Sequence, residues 1–228
     1  MKAGLTVKLC GMTNLEDILL AAQHGASYAG VVTEVDFSPR SLNIEQAEAI
    51  FKKSPLPTVA LVYNMNFSRL AYLVKRLKPY AIQFLGLENI SLLRQCKKKF
   101  PGTELWQSIH LPENEAYNMK HITDSLYDCW KAGVNLFLLD AAAAVNGVTR
   151  FGGTGKTINW KEAKKIVSVS PLPVFLAGGI NPRNVQMAIQ QVHPAGIDLC
   201  SGVEAFPGKK DPDKIKALME GVKGGALY

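Results

Sequence analysis

No stretch of this 228-residue sequence approaches the roughly 20 consecutive apolar residues that a membrane-spanning helix needs, so a helical membrane protein is not expected. Cysteine is scarce. Cys10, Cys96, Cys129 and Cys200 stand far apart, with no Cys-x-x-Cys pair and no histidine at ligand spacing, which argues against a disulfide scaffold, a zinc site or a redox motif. No metal or cofactor is expected. Lys8 interrupts an apolar stretch already too short for a secretory signal, and a reducing, cytoplasmic setting is the expectation. A glycine-rich dinucleotide turn is also missing, since Cys10-Gly11-Met12-Thr13 offers one glycine where a doubly wound nucleotide-binding sheet would carry several. Finally, Gly152-Gly153-Thr154-Gly155-Lys156-Thr157 ends like a P-loop but has Arg150 where the pattern needs its first glycine, which disfavours an ATPase.

What is present is ordinary globular composition: 47% hydrophobic, 20% charged, with 19 glycines and 12 prolines. The 26 Lys and Arg against 19 Asp and Glu leave a charge of +7, which suits an anionic partner. Lys97-Lys98-Lys99 and Lys209-Lys210 read as solvated faces without interleaved aromatics, so neither nucleic acid nor membrane is the expected partner. A small phosphorylated molecule is. A monomer or a homodimer fits.

Short apolar, β-branched runs alternate with segments of helical period about eight times, without a linker. Strands are expected to begin near Thr6, Tyr28, Thr58, Ala81, Glu104, Asn135, Val174 and Gly196. The segments between them are long enough for crossovers joining parallel strands. The predicted fold is therefore a single α/β domain over 1–228, a (β/α)8 TIM barrel. Thr13 with Glu16, and Asn43 with Gln46, have capping-box spacing, and Gly25, Gly133 and Gly196 read as glycines ending helices.

Such a barrel works at the C-terminal ends of its strands, so candidates can be sought by position. Gly178-Gly179 and Ser201-Gly202 follow the last two strands, where bare amides can hold phosphate. Gly153, Thr154, Gly155 and Lys156 would form a loop after the sixth strand able to close over an anion. Lys8 and Cys10 share one face of the first strand, and Asp198, Asp140 or the Cys10 thiolate would have to satisfy the ammonium. A neighbouring ammonium would favour the thiolate and make Cys10 a usable base. Asp140 closes the run Leu136-Phe137-Leu138-Leu139, where desolvation would raise its pKa and suit it to donate a proton.

These residues resemble the phosphoribosylanthranilate isomerases. The resemblance lies in Val7-Lys8-Leu9-Cys10-Gly11-Met12-Thr13, Ser38-Pro39-Arg40, Leu138-Leu139-Asp140, Gly153-Thr154-Gly155-Lys156-Thr157 with Trp160, Ala177-Gly178-Gly179-Ile180-Asn181-Pro182, and Asp198 through Ser201-Gly202-Val203-Glu204. It runs from the first strand to the last helix and implies a cofactor-free Amadori rearrangement of N-(5'-phosphoribosyl)anthranilate to 1-(2-carboxyphenylamino)-1-deoxyribulose 5-phosphate, a step of tryptophan biosynthesis. By the same resemblance, Asp140 would protonate the ring oxygen, Cys10 would remove the C2 proton, and Arg40 would meet the anthranilate carboxylate. The chain departs from the family pattern at Leu85, where Gln83-Phe84-Leu85-Gly86 replaces Gln-Leu-His-Gly, and at Thr33 and Met65. A related barrel enzyme acting on another phosphorylated sugar or amino-sugar is the alternative.

Overall fold

The computed structural model describes residues 5–87, 89–111, 118–145, 148–151 and 158–225, with backbone alone at 142–145 and 148–151. Its elements run β1 (Thr6–Leu9), α1 (Leu15–Gln23), β2 (Tyr28–Val32), α2 (Ile44–Lys53), β3 (Thr58–Val62), α3 (Phe67–Leu77), β4 (Ala81–Phe84), α4 (Ile90–Lys99), β5 (Glu104–Leu111), α5 (Met119–Lys131) and β6 (Leu136–Val145). They continue with β7 (Val148–Phe151), α6 (Trp160–Val169), β8 (Val174–Leu176), α7 (Val185–Val192), β9 (Gly196–Leu199), the short hairpin β10 (Glu204–Phe206) and β11 (Lys209–Lys210), and α8 (Pro212–Gly225). Eight strands pair in parallel in the order β5-β4-β3-β2-β1-β9-β8-β6, and β5 also pairs with β6, so the sheet closes into the expected barrel. Ahead of Gly152 the chain forms a β-hairpin: β6 runs on past the barrel rim and pairs antiparallel with β7.

Strand alternation sorts the side chains into two cores. Outward residues such as Val7, Leu9, Val31, Phe137 and Leu139 pack under the helices, which bury one stripe each. In α3 that stripe is Leu70, Leu73 and Leu77, at helical spacing. Inward residues fill the barrel: its lower end is a plug in which Trp106 meets Tyr28 edge-on at 5.0 Å and Phe175 at 5.7 Å.

Helix starts follow asparagine. Asn14, Asn43, Asn66, Asn89, Asn118 and Asn159 each accept a backbone N–H of the first turn. The Asn43–Gln46 capping box forms as expected. Thr13 does not cap α1; its hydroxyl donates to the Gly208 carbonyl at 2.6 Å, and Asn14 takes the cap. Gly25 and Gly133 have the left-handed φ expected after a helix, +90° and +101°. Gly196 does not: it lies inside β9, where a Cβ would come within 2.5 Å of the Phe175 ring, and His193 supplies the left-handed residue ending α7.

Candidate active site at the barrel mouth

The strand register assembles the site. Lys8 pairs with Asp198 and Leu9 with Leu199, so the next residues, Cys10 and Cys200, lie side by side at the upper rim. On the other wall, His110 pairs with Asp140. Cys10 and Leu138 both belong to the inner core, and Asp140 lies two residues beyond Leu138 on the same strand, so thiol and carboxyl face one interior at one end.

Beneath them the fully enclosed Lys8 ammonium donates to Asp198 Oδ2 at 2.7 Å. Burial alone would discharge this lysine, but Asp198, with the Cys10 thiol, holds its pKa above the usual value. Cys10 is pulled the other way: a hydrogen bond with the Cys200 thiol lowers its pKa, helped by Lys8 and Lys210 against the penalty of burial. Asp140 shows the opposite result. Burial raises its carboxyl to about 7, with Asp198 adding to the effect, although Ala141 N–H donates to Oδ1 at 2.7 Å and Lys8 opposes. The run of alanines after Asp140 thus provides a local donor that sequence reasoning overlooked.

Arg40, from the loop after β2, reaches across β1. Its Nε and Nη2 donate to Glu204 at 2.8 and 2.6 Å, a two-pronged pairing that leaves Nη1 for a ligand. Glu204 also accepts from Gly208 N at 3.2 Å and from Lys210 Nζ at 3.1 Å. Lys210, expected in a solvated basic run, is buried, because the β10–β11 hairpin sets it opposite Glu204 and its ammonium reaches the Cys10 carbonyl. Lys209 is held by Glu16 and Asp17. Glu204 and Lys210 therefore join the candidate site, a placement that their spacing in the sequence does not signal.

Between β6, β8 and β9, the two glycine turns pack on each other. Gly178 and Gly179 have φ of +72° and +65°, and a Cβ on Gly202 would lie 2.2 Å from the Ile180 carbonyl, so no larger residue fits there. Asn181 and Asn184 both donate side-chain amides to the Gly179 carbonyl, at 3.1 and 3.0 Å. Asn184 stands at the start of α7 but, alone among the asparagines at such positions, makes no capping bond, its side chain being used here. Ser201 and Gly202 open a single 3-10 turn. Gly153, Thr154, Gly155 and Lys156 lie outside the described residues.

Of the family departures, Leu85 joins the inner core, and His110 brings its Nε2 onto the Leu85 carbonyl, so an imidazole still stands at this part of the rim. Burial lowers its pKa. Met65 packs in the outer core. Beside the mouth, a cavity of about 440 Å³ lies among Glu34, Phe37, Tyr63, Met65 and Arg69, with Phe37 and Tyr63 edge-on at 5.2 Å. No described helix is long and apolar enough to cross a membrane.

The chain matches the family model described as N-(5'phosphoribosyl)anthranilate (PRA) isomerase over residues 7–221. It is 36% identical to the N-(5'-phosphoribosyl)anthranilate isomerase of Methanocella arvoryzae, covering 95% of this chain and 97% of that one. Among solved structures, the phosphoribosyl anthranilate isomerase of Thermotoga maritima superposes with a TM-score of 0.79 at 30% identity, covering 96% of this chain and 99% of that one. A phosphoribosyl anthranilate isomerase in complex with reduced 1-(o-carboxyphenylamino)-1-deoxyribulose 5-phosphate gives 0.77 at 28% identity, with the same coverage.

Proposed function

This chain belongs to the N-(5'-phosphoribosyl)anthranilate isomerase family, and we propose that it isomerises N-(5'-phosphoribosyl)anthranilate in tryptophan biosynthesis through Cys10 and Asp140. One observation carries the assignment of roles: a thiol with lowered pKa and a carboxyl with raised pKa face the same barrel mouth. An aminoaldose must gain a proton on its ring oxygen before the ring opens, and lose one from C2 afterwards. Asp140, with a pKa of about 7, is protonated often enough at neutral pH to give the first, and the Cys10 thiolate is the base for the second. Ring opening leaves an iminium, removal of the C2 proton gives an enolamine, and tautomerisation gives the aminoketose.

The remaining residues bind and orient. Gly178, Gly179, Ser201 and Gly202 offer backbone amides for the phosphate at the ends of β8 and β9, with Gly153, Thr154, Gly155 and Lys156 closing from the loop after β7. Arg40 receives the aryl carboxylate on Nη1, and Phe37 with Tyr63 gives the ring an apolar wall. Asp198, whose Oδ1 is buried without a hydrogen-bond partner, accepts from a ribose hydroxyl. Lys8 acts from beneath, steadying Asp198 and the thiolate.

The test is turnover of freshly made phosphoribosylanthranilate by the purified chain, followed as loss of anthranilate fluorescence. Saturable turnover is expected; none at all would overturn the reading.

A further inference from the structure

Two thiols share the mouth, and the proposed reaction needs only one of them. Cys10 and Cys200 follow the paired residues Leu9 and Leu199, and Cys10 N–H donates to the Leu199 carbonyl at 2.7 Å. Neighbouring strands lie about 4.8 Å apart, inside the window of about 4.4–6.8 Å that disulfides span between Cα atoms. Lys210 ties both strand ends together, donating to the Cys10 carbonyl at 2.5 Å and the Cys200 carbonyl at 3.3 Å. The Cys200 sulfur lies over Gly11, where a Cβ would meet it at 2.7 Å, so no side chain there holds the sulfurs apart. We propose that Cys10 and Cys200 are a modification site at which a peroxide drives formation of a reversible intrachain disulfide.

The chemistry divides between the two sulfurs. The Cys10 thiolate attacks one peroxide oxygen, the O–O bond breaks, hydroxide leaves, and Cys10 becomes a sulfenic acid. Cys200 is ordinarily hard to ionise, first because it is hydrogen-bonded to Cys10 and then because it is buried. Conversion of the thiolate to a neutral sulfenic acid removes the negative charge that held the Cys200 proton in place, while Lys210 and Arg40 remain beside it to favour the anion. Glu204 Oε1, 3.8 Å from the Cys200 sulfur, is placed to take that proton. The Cys200 sulfur then attacks Cys10, the S–O bond breaks, and the oxygen leaves as water with the thiol proton. Two electrons pass from the thiol pair to the peroxide, and a dithiol reductant reverses the change. Cys96 and Cys129, on α4 and α5, are shut in the outer core and act as internal bystanders.

The covalent readout is independent of the proposed function, and the activity readout rests on it. The reduced full chain is treated with hydrogen peroxide, alkylated without reductant and measured by intact mass and peptide mapping. The expected product has lost two hydrogens and two of its four thiols, with the Cys10 and Cys200 peptides joined. Isomerase activity should fall in step and return with dithiothreitol. In Cys200→Ser, dimedone should trap sulfenic acid on Cys10, and further peroxide should carry it to sulfinic acid that dithiothreitol cannot reverse. Wild-type protein that goes directly to sulfinic acid on Cys10, or a disulfide joining other cysteines or two chains, would overturn the pairing. A Cys10–Cys200 disulfide with undiminished turnover would keep the pairing and remove Cys10 from the reaction.

Discussion

The wall made by β1 and β9 and the wall made by β5 and β6 meet at one mouth, yet they treat an ionisable group in opposite ways. Cys10 stands beside a second thiol, Lys8 and Lys210, and these favour its anion against the penalty of burial. Asp140 has His110 beside it on the neighbouring strand, whose pKa burial lowers, and the apolar Leu85 one strand further on. One amide and a more distant ammonium do not offset its desolvation. The two opposite shifts thus arise at one mouth from a neighbouring thiol and two ammonium groups on one wall and from desolvation on the other.

Removing either group abolishes the contrast and should have the largest effect. Cys10→Ala and Asp140→Ala are each expected to lower kcat by about 10³-fold, the range typical of a lost general base or acid, with little change in the far-ultraviolet circular dichroism. A fully active form of either would remove that residue from the mechanism. With both groups present, the rate should be bell-shaped in pH: the alkaline limb falls as Asp140 ionises above about 7, and the acid limb falls as Cys10 is protonated.

Lys8→Met attacks the cationic wall at its base. It leaves Asp198 enclosed without its ion partner, and the expected loss is ~3–5 kcal/mol of stability in urea unfolding. Lys8→Met, Asp198→Leu should recover part of that loss, because the buried charge is then gone as well. A single variant as stable as wild type would show that Asp198 finds another partner.

The barrel was legible in the sequence because strand starts and helix periods are local signals, and all eight expected strands fall within a residue of the observed ones. Helix ends were less so. Thr13 has the right spacing for a cap, but its hydroxyl is taken by Gly208, 195 residues away. Asp198 as the Lys8 partner was anticipated among several candidates, since a buried ammonium in the first strand demands a carboxylate. Glu204 and Lys210 were not, because a lysine next to another lysine looks solvated until the hairpin turns one inward. The Cys10–Cys200 neighbourhood was hidden for the same reason: spacing rules compare cysteines along the chain, and barrel closure brings together residues 190 apart.

Asp140 makes a stability prediction of the opposite sign to that of Lys8. Its folded pKa, about 7, lies above the unfolded value, so its contribution to stability is full at acid pH and is lost as pH rises through 7. Asp140→Asn cannot ionise. The variant should therefore match wild type near pH 4 and exceed it by ~1–3 kcal/mol at pH 8, after allowance for the partial exposure of the carboxyl, while losing activity. A Tm difference between variant and wild type that stays the same from pH 4 to pH 8 would mean the carboxyl does not carry the raised pKa.

The smallest effect sharpens the comparison most. Cys200 supplies the hydrogen bond that does most to lower the pKa of Cys10, so Cys200→Ala should raise it and move the acid limb of the rate profile to higher pH. The alkaline limb belongs to Asp140 on the other wall and should not move. A general loosening of the barrel would lower the rate at every pH or shift both limbs. Movement of the acid limb alone would show that the thiolate is tuned by its own wall.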